Sequence, residues 1–181
     1  MRKLSALFVI LCVVFGSCKR EQNFSVVPYI SFVDFTKYGA DSAIVRIKFT
    51  DGDGDIGLDP TDLSPPYNIG SRYYADLFLV YYYLDPESNT WKVYNNNITN
   101  TNSTQFDTMQ YTYRIPNLTQ SGQNQSLQGE IKVAIPAPYC LTGSVLFPHS
   151  PPAPQFMYKI TLVDRALHVS NTVQTGPISY P

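Results

Sequence analysis

The residues best suited to chemistry sit in one short run, Asp51-Gly52-Asp53-Gly54-Asp55-Ile56-Gly57-Leu58-Asp59. Asp62 follows, and no basic residue lies between Lys48 and Arg72. Alternating Asp and Gly suits a hard cation. Carboxylate oxygens are the ligands Ca2+ takes, and glycine lets the chain curl so that several of them converge. The pattern is not an EF-hand. Ile56 stands at the sixth position, where that loop needs Gly, and Asp62 rather than Glu stands at the twelfth. A generic Ca2+ loop remains, with Asp51, Asp53, Asp55 and Asp59 as ligands. The competing reading is a solvated turn, because Asp and Gly favour turns in any case. Against it, crowded carboxylates repel one another unless a cation or bound water offsets them. Zinc is disfavoured: His149 and His168 are the only histidines and stand well apart, and Zn2+ prefers nitrogen and sulfur donors.

Other chemistry is sparse. There is no Gly-x-Ser-x-Gly, His-Glu-x-x-His or phosphate-cradling glycine loop. Clustered Asp could serve a hydrolase, but here they share one loop instead of flanking a cleft. The expectation is therefore a protein that is not an enzyme. Net charge is −1, with 15% charged residues and no basic stripe, so nucleic acid is excluded as a partner. Exposed Tyr can bind sugar or protein, and Tyr73, Tyr74, Tyr81 to Tyr83, Tyr111 and Tyr113 are candidates. Packing in the core is the competing role for the same residues.

The N-terminus carries an address. Arg2 and Lys3 precede a nearly unbroken apolar run from Leu4 to Phe15, then Gly16 and Ser17. That is the order of a secretory signal. The run is shorter than the roughly 20 residues that span a bilayer. Phe15-Gly16-Ser17-Cys18 resembles the lipobox of bacterial lipoproteins, with Phe where Leu is usual. The resemblance implies cleavage before Cys18, acylation of Cys18 and a membrane contact made by lipid alone. Cys12 leaves with the signal, so only Cys140 remains and no internal disulfide can form. No neighbouring basic residue activates Cys140, which reads as an inert thiol.

The rest divides into a tether, 18–25, and one domain, 26–181, long enough to bury a core. Tyr, Phe, Val and Thr are plentiful and Glu is scarce, which favours strands over helices. Period-two patterns predict strands over 28–38, 42–50, 76–84, 89–94, 107–115, 127–135, 156–163 and 169–180. In the second, Ala43, Val45, Ile47 and Phe49 face one way while Ile44, Arg46 and Lys48 face the other. Residues 85–88 read as a hairpin turn. The segments 95–105 and 117–126 are polar and of low complexity, and 136–154 is rich in proline. About eight short strands with turn-rich connections predict an all-β fold, an antiparallel sandwich of immunoglobulin or fibronectin-III type. A barrel is the alternative.

In a sandwich of this order, the loop after the second strand shares an end with the loop before the last. That brings Asp164 to Asp51, Asp53 and Asp55, with Asn171 as a weaker candidate. Otherwise Asp164-Arg165 is a turn with an exposed ion pair, worth about 0–1 kcal/mol.

Three segments carry a resemblance. They are Phe49 to Leu58, Leu127 to Val133, and Tyr158-Lys-Ile-Thr-Leu-Val-Asp-Arg-Ala166 with Ser170-Asn171. Together they resemble uncharacterised Bacteroidetes-type lipoproteins with a bacterial Ig-like domain, whose turn before the last strand reads Asp-Arg-Ala-Gly-Asn. Here Leu167-His168 replaces Gly-Asn, which weakens a role for that turn in metal binding. The resemblance implies an outer-membrane lipoprotein of the cell envelope with a protein or glycan partner, and it names no activity. Asp41-Ser42-Ala43 and Asp107-Thr108-Met109 resemble Bacteroidetes O-glycosylation sites, at Ser42 and Thr108.

Overall fold

The computed structural model describes residues 23–38, 42–94, 110–119, 126–136 and 155–179. The signal segment, Cys18, Thr108, Cys140, His149 and most of the polar and proline-rich segments lie outside the described residues.

Among the described residues nine strands form two antiparallel sheets: β1 (Tyr29–Tyr38), β2 (Ser42–Asp51), β3 (Leu77–Asp85), β4 (Thr90–Val93), β5 (Gln110–Tyr113), β6 (Leu127–Pro136), β7 (Gln155–Leu162), β8 (Val173–Gln174) and β9 (Ile178–Ser179). One sheet has the order β1-β2-β6. In the other, β3 lies between β7 and an edge shared by β4 and β5, and β7 carries β8 and β9 on its far side. No α-helix occurs among the described residues; a single 3-10 turn spans Arg72–Tyr74. The sheets are separate and face each other, so the architecture is the expected all-β antiparallel sandwich and not a barrel.

Alternation builds the core. Along β2, Ala43, Val45, Ile47 and Phe49 are buried, while Ile44 and Arg46 are half-buried and Lys48 is exposed. β6 repeats the pattern with Leu127, Ile131, Val133 and Ile135. Burying such a side chain contributes roughly 1.5–3 kcal/mol. Between the sheets, Tyr81 of β3 stacks on Phe156 of β7 at 5.6 Å, and Phe35 of β1 reaches across to Tyr158 at 6.2 Å.

Two strands are shorter than the alternation suggests. The segment 169–180 splits into β8 and β9, because Gly176 turns at φ 74° and Pro177 has no N–H to give the ladder. β5 ends at Tyr113, because the amide of Ile115 donates to the Asp76 carboxylate at 2.8 Å instead of to a strand.

Strand directions decide where the connections meet. β1, β3 and β6 begin at the end where β2, β5 and β7 finish. The chain before β1 and the connections 52–76, 114–119 and 163–172 therefore gather at one end of the sandwich.

Candidate metal centre

The inward parity of β2 does not stop at Phe49. It carries one step past Thr50 to Asp51, the last residue of the strand, which is 0% exposed. A carboxylate is thus delivered to the edge of the core by the alternation that buries Val45 and Ile47. Beyond it the chain curls. Gly54 has φ 69° and Gly57 has φ 90°, conformations that cost glycine little. Ile56 and Leu58 plug into the interior at 0% and 3% exposure. Leu58 N–H donates to Ile115 O at 2.8 Å, and Leu118 N–H donates to Ile56 O at 2.9 Å. The acidic segment is thereby a built loop, pinned to residues 115–118, and not a free turn. Gly57 has no substitute there, since a Cβ would lie 2.1 Å from Pro116 O.

Asp164 follows β7 in the opposite sheet and is 2% exposed. The tight turn after it closes through Leu167 N–H on Asp164 O at 3.1 Å and Asp164 N–H on His168 O at 3.2 Å. The two loops are laced together. Arg165 N–H donates to Asp55 O at 3.2 Å, and Ala166 N–H donates to Asp55 Oδ2 at 2.9 Å.

As a result Asp51, Asp53, Asp55 and Asp164 each offer a carboxylate oxygen, and these four atoms lie within 4.8 Å of one another. The donors divide in a telling way. Asp51 Oδ2 accepts from Asp55 N–H at 3.0 Å, and Asp55 Oδ2 from Ala166 N–H. The Oδ1 atoms of Asp51, Asp53 and Asp55 are buried and meet no protein donor. Backbone amides thus fix Asp51 and Asp55 through one oxygen and leave the other without a protein donor, whereas Asp164 meets His168 with both oxygens. The set is oxygen-only, so it suits a hard cation and a metal ion fits it.

Electrostatics agree. Burial, and next the neighbouring Asp53, push the Asp51 carboxyl up to about 6. Burial followed by the other carboxylates raises Asp55, and burial raises Asp164. Among the described residues no lysine or arginine forms an ion pair with the cluster: the Arg165 guanidinium is directed to Thr119. That guanidinium acts on Asp55 only through space, while His168 contacts the cluster directly. Its Nδ1 lies 2.9 Å from Asp164 Oδ2, and that hydrogen bond raises its pKa.

Several expected site residues stand elsewhere. Asp59 is not in the cluster: the bridge between Leu58 and Pro116 carries the chain away, and its carboxylate accepts from Asn117 Nδ2 at 2.9 Å. Asn171 is a clasp on β1, accepting from Ile30 N–H at 2.7 Å and donating to Ile30 O at 2.8 Å. Asp164 makes no ion pair with Arg165. Its turn survives the loss of Gly because Leu167 itself adopts φ 68°, packed against Val163 and Phe78. Among the candidate tyrosines, Tyr81 is wholly buried, and Tyr83, Tyr111 and Tyr113 pack against the core; only Tyr74 is exposed, and Arg114 lies over its ring. Ser42 opens β2, half-buried, with its hydroxyl donating to Tyr38 O at 3.3 Å.

The sequence reading missed Asp76, a third buried carboxylate at this end. Its Oδ2 meets no donor, and burial pushes it up to about 7. Its signal was weak, a polar residue at the start of an otherwise apolar strand.

The chain matches no protein-family model, no curated protein and no solved structure.

Proposed function

We propose that this protein is a non-catalytic lipoprotein of the bacterial cell envelope, held by acyl chains on Cys18, whose Ig-like sandwich is fastened by a Ca2+ ion and serves as a binding or structural module. One observation carries the metal part: Asp51 at the end of β2 and Asp164 just after β7 bring inward-turned carboxylates together from opposite sheets. A cation there ties the two sheets, as the inter-sheet disulfide does in antibody domains. Ca2+ fits better than Mg2+. An oxygen shell at roughly 2.3–2.6 Å spans the separation seen here, whereas the roughly 2.0–2.1 Å shell of Mg2+ is narrower and keeps its waters. Carboxylates about 4 Å apart repel by about 4 kcal/mol per pair at an effective dielectric of about 20, and a divalent ion turns that repulsion into attraction.

The envelope part rests on Arg2 to Cys18 and on the lipoprotein resemblance. No helix among the described residues is long and apolar enough to cross a membrane.

Calorimetry of the mature chain in detergent, titrated with Ca2+ and paired with melting curves in Ca2+ and in EDTA, tests the metal. Heat of binding with a raised melting temperature supports it; identical curves without heat refute it. The intact mass tests the rest, reporting acylation at Cys18 and any glycan on Ser42 or Thr108.

A further inference from the structure

We infer that the loop end of the sandwich, the end that carries the four carboxylates, docks onto the surface of the lipid bilayer. The inference rests on the lipoprotein reading of Cys18.

The first observation is the distribution of exposed apolar side chains. Nine large ones are exposed among the described residues, and eight belong to the loop end or to the chain leading into β1; Tyr38 is the exception. Val26 and Val27 precede β1, Leu63 and Ile69 lie in the connection after β2, Leu118 follows β5, and Val169 follows β7. Ile69 is 74% exposed and Val26 is 50% exposed. Single exposed apolar residues are ordinary on a protein surface, whereas a collection at one end marks an interaction face.

The second observation is the path of the N-terminal chain. Gly52 N–H donates to Ser25 O at 2.8 Å. The fit is so close that a Cβ on Gly52 would lie 2.4 Å from Phe24 O. Phe24 and Ser25 are therefore seated on the acidic loop itself, at the residue between Asp51 and Asp53. From Phe24 back to Cys18 is six residues, at most about 20 Å fully extended at roughly 3.3–3.6 Å per residue. Acyl chains on Cys18 thus hold this end, and not the opposite one, against the membrane.

Charge links the two. The charge of four carboxylates gathered at this end repels anionic headgroups, and a bound cation lessens that repulsion. Apolar side chains then settle at the boundary between headgroups and acyl chains. Docking is accordingly stronger with Ca2+ than without it.

Trp91, the single tryptophan, supplies an internal control. It pairs with Leu84, seven residues along β3 from Leu77 and so roughly 23 Å from the loop end at about 3.3 Å per residue. The lipid-modified full chain is reconstituted in vesicles of phosphatidylcholine and phosphatidylglycerol that contain brominated lipid. Two variants are compared with it, Leu118→Trp and Val26→Trp, each combined with Trp91→Phe and each checked for an unchanged melting curve. The expected result is blue-shifted, strongly quenched emission from positions 118 and 26, weaker quenching of both in EDTA, and no quenching of Trp91. Flotation with solvent-like, unquenched emission from positions 118 and 26 overturns the docking and leaves the anchor standing. That outcome also turns the apolar face toward a protein partner. A chain that does not float with the vesicles removes the anchor, and the docking falls with it.

Discussion

The two ends of the sandwich treat the same side chain in opposite ways. At the hairpin end, Asp85 closes β3 beside Lys92 and Ser88, which hydrogen-bond its carboxylate and hold it down at about 2. On the outer face of the β1-β2-β6 sheet, Asp34 is likewise lowered by Arg46. At the loop end, Asp51, Asp55 and Asp164 are all raised, burial being the first cause in each, and among the described residues no lysine or arginine forms an ion pair with them. Amides that would otherwise compensate them occupy only one oxygen of Asp51 and of Asp55. The difference teaches where neutralisation comes from. The hairpin end is balanced within the chain, while the loop end is left with charge for something from outside to balance.

The largest effect is expected from Ile56→Ala, which would erase the distinction by dissolving the built loop. Ile56 is wholly buried, next to Asp55 of the cluster and flanked by Gly54 and Gly57. Its truncation should cost about 2–5 kcal/mol, read by chemical denaturation, and should weaken Ca2+ binding although no ligand is touched. Next comes Asp51→Asn. A cation at about one hundred times its dissociation constant contributes about 2.7 kcal/mol, and this variant should lose that increment. In EDTA the same variant should melt higher than the native chain, because a repelling charge is gone. A change of sign between the two conditions separates a ligand from an ordinary buried carboxylate.

The dependence on pH sharpens the contrast. Asp51 at about 6 and Asp76 at about 7 are raised above their unfolded values, so the folded state holds extra protons. Their contribution is full below about pH 4 and is lost as pH rises through 6 to 7. Asp85, lowered to about 2, contributes above about pH 4 and loses that contribution as pH falls toward 2. In EDTA, stability between pH 4 and 7 should fall with rising pH. Ca2+ should cancel the share due to Asp51 and leave that of Asp76, which melting curves across this range resolve. The smallest effect belongs to Asp85→Asn at neutral pH: a slight fall in melting temperature, with the Ca2+ response intact.

Much of the fold could be read from alternation alone. Ala43 to Phe49 and Leu127 to Ile135 announced their buried faces, and turn residues marked the ends of most strands. Continuing that parity one step would also have placed Asp51 inside, which turns a loop residue into a buried carboxylate. Asp59 was misjudged because spacing along the chain says nothing about a bridge to Pro116. Asn171 was misjudged because an amide ligand and an amide clasp have the same sequence signature. The tyrosines divide by register: Tyr81 and Tyr158, paired across β3 and β7, both turn inward.

By itself, the sequence determined the all-β sandwich and the presence of an acidic loop, since each is written in local order and period. The tertiary structure decided which carboxylates meet, that Asp164 arrives from the other sheet, that three oxygens face inward without a donor, and that the apolar residues of four separate segments share one end. Those outcomes depend on which strand ends lie side by side. Long-range pairing sets that, and no stretch of neighbouring residues records it.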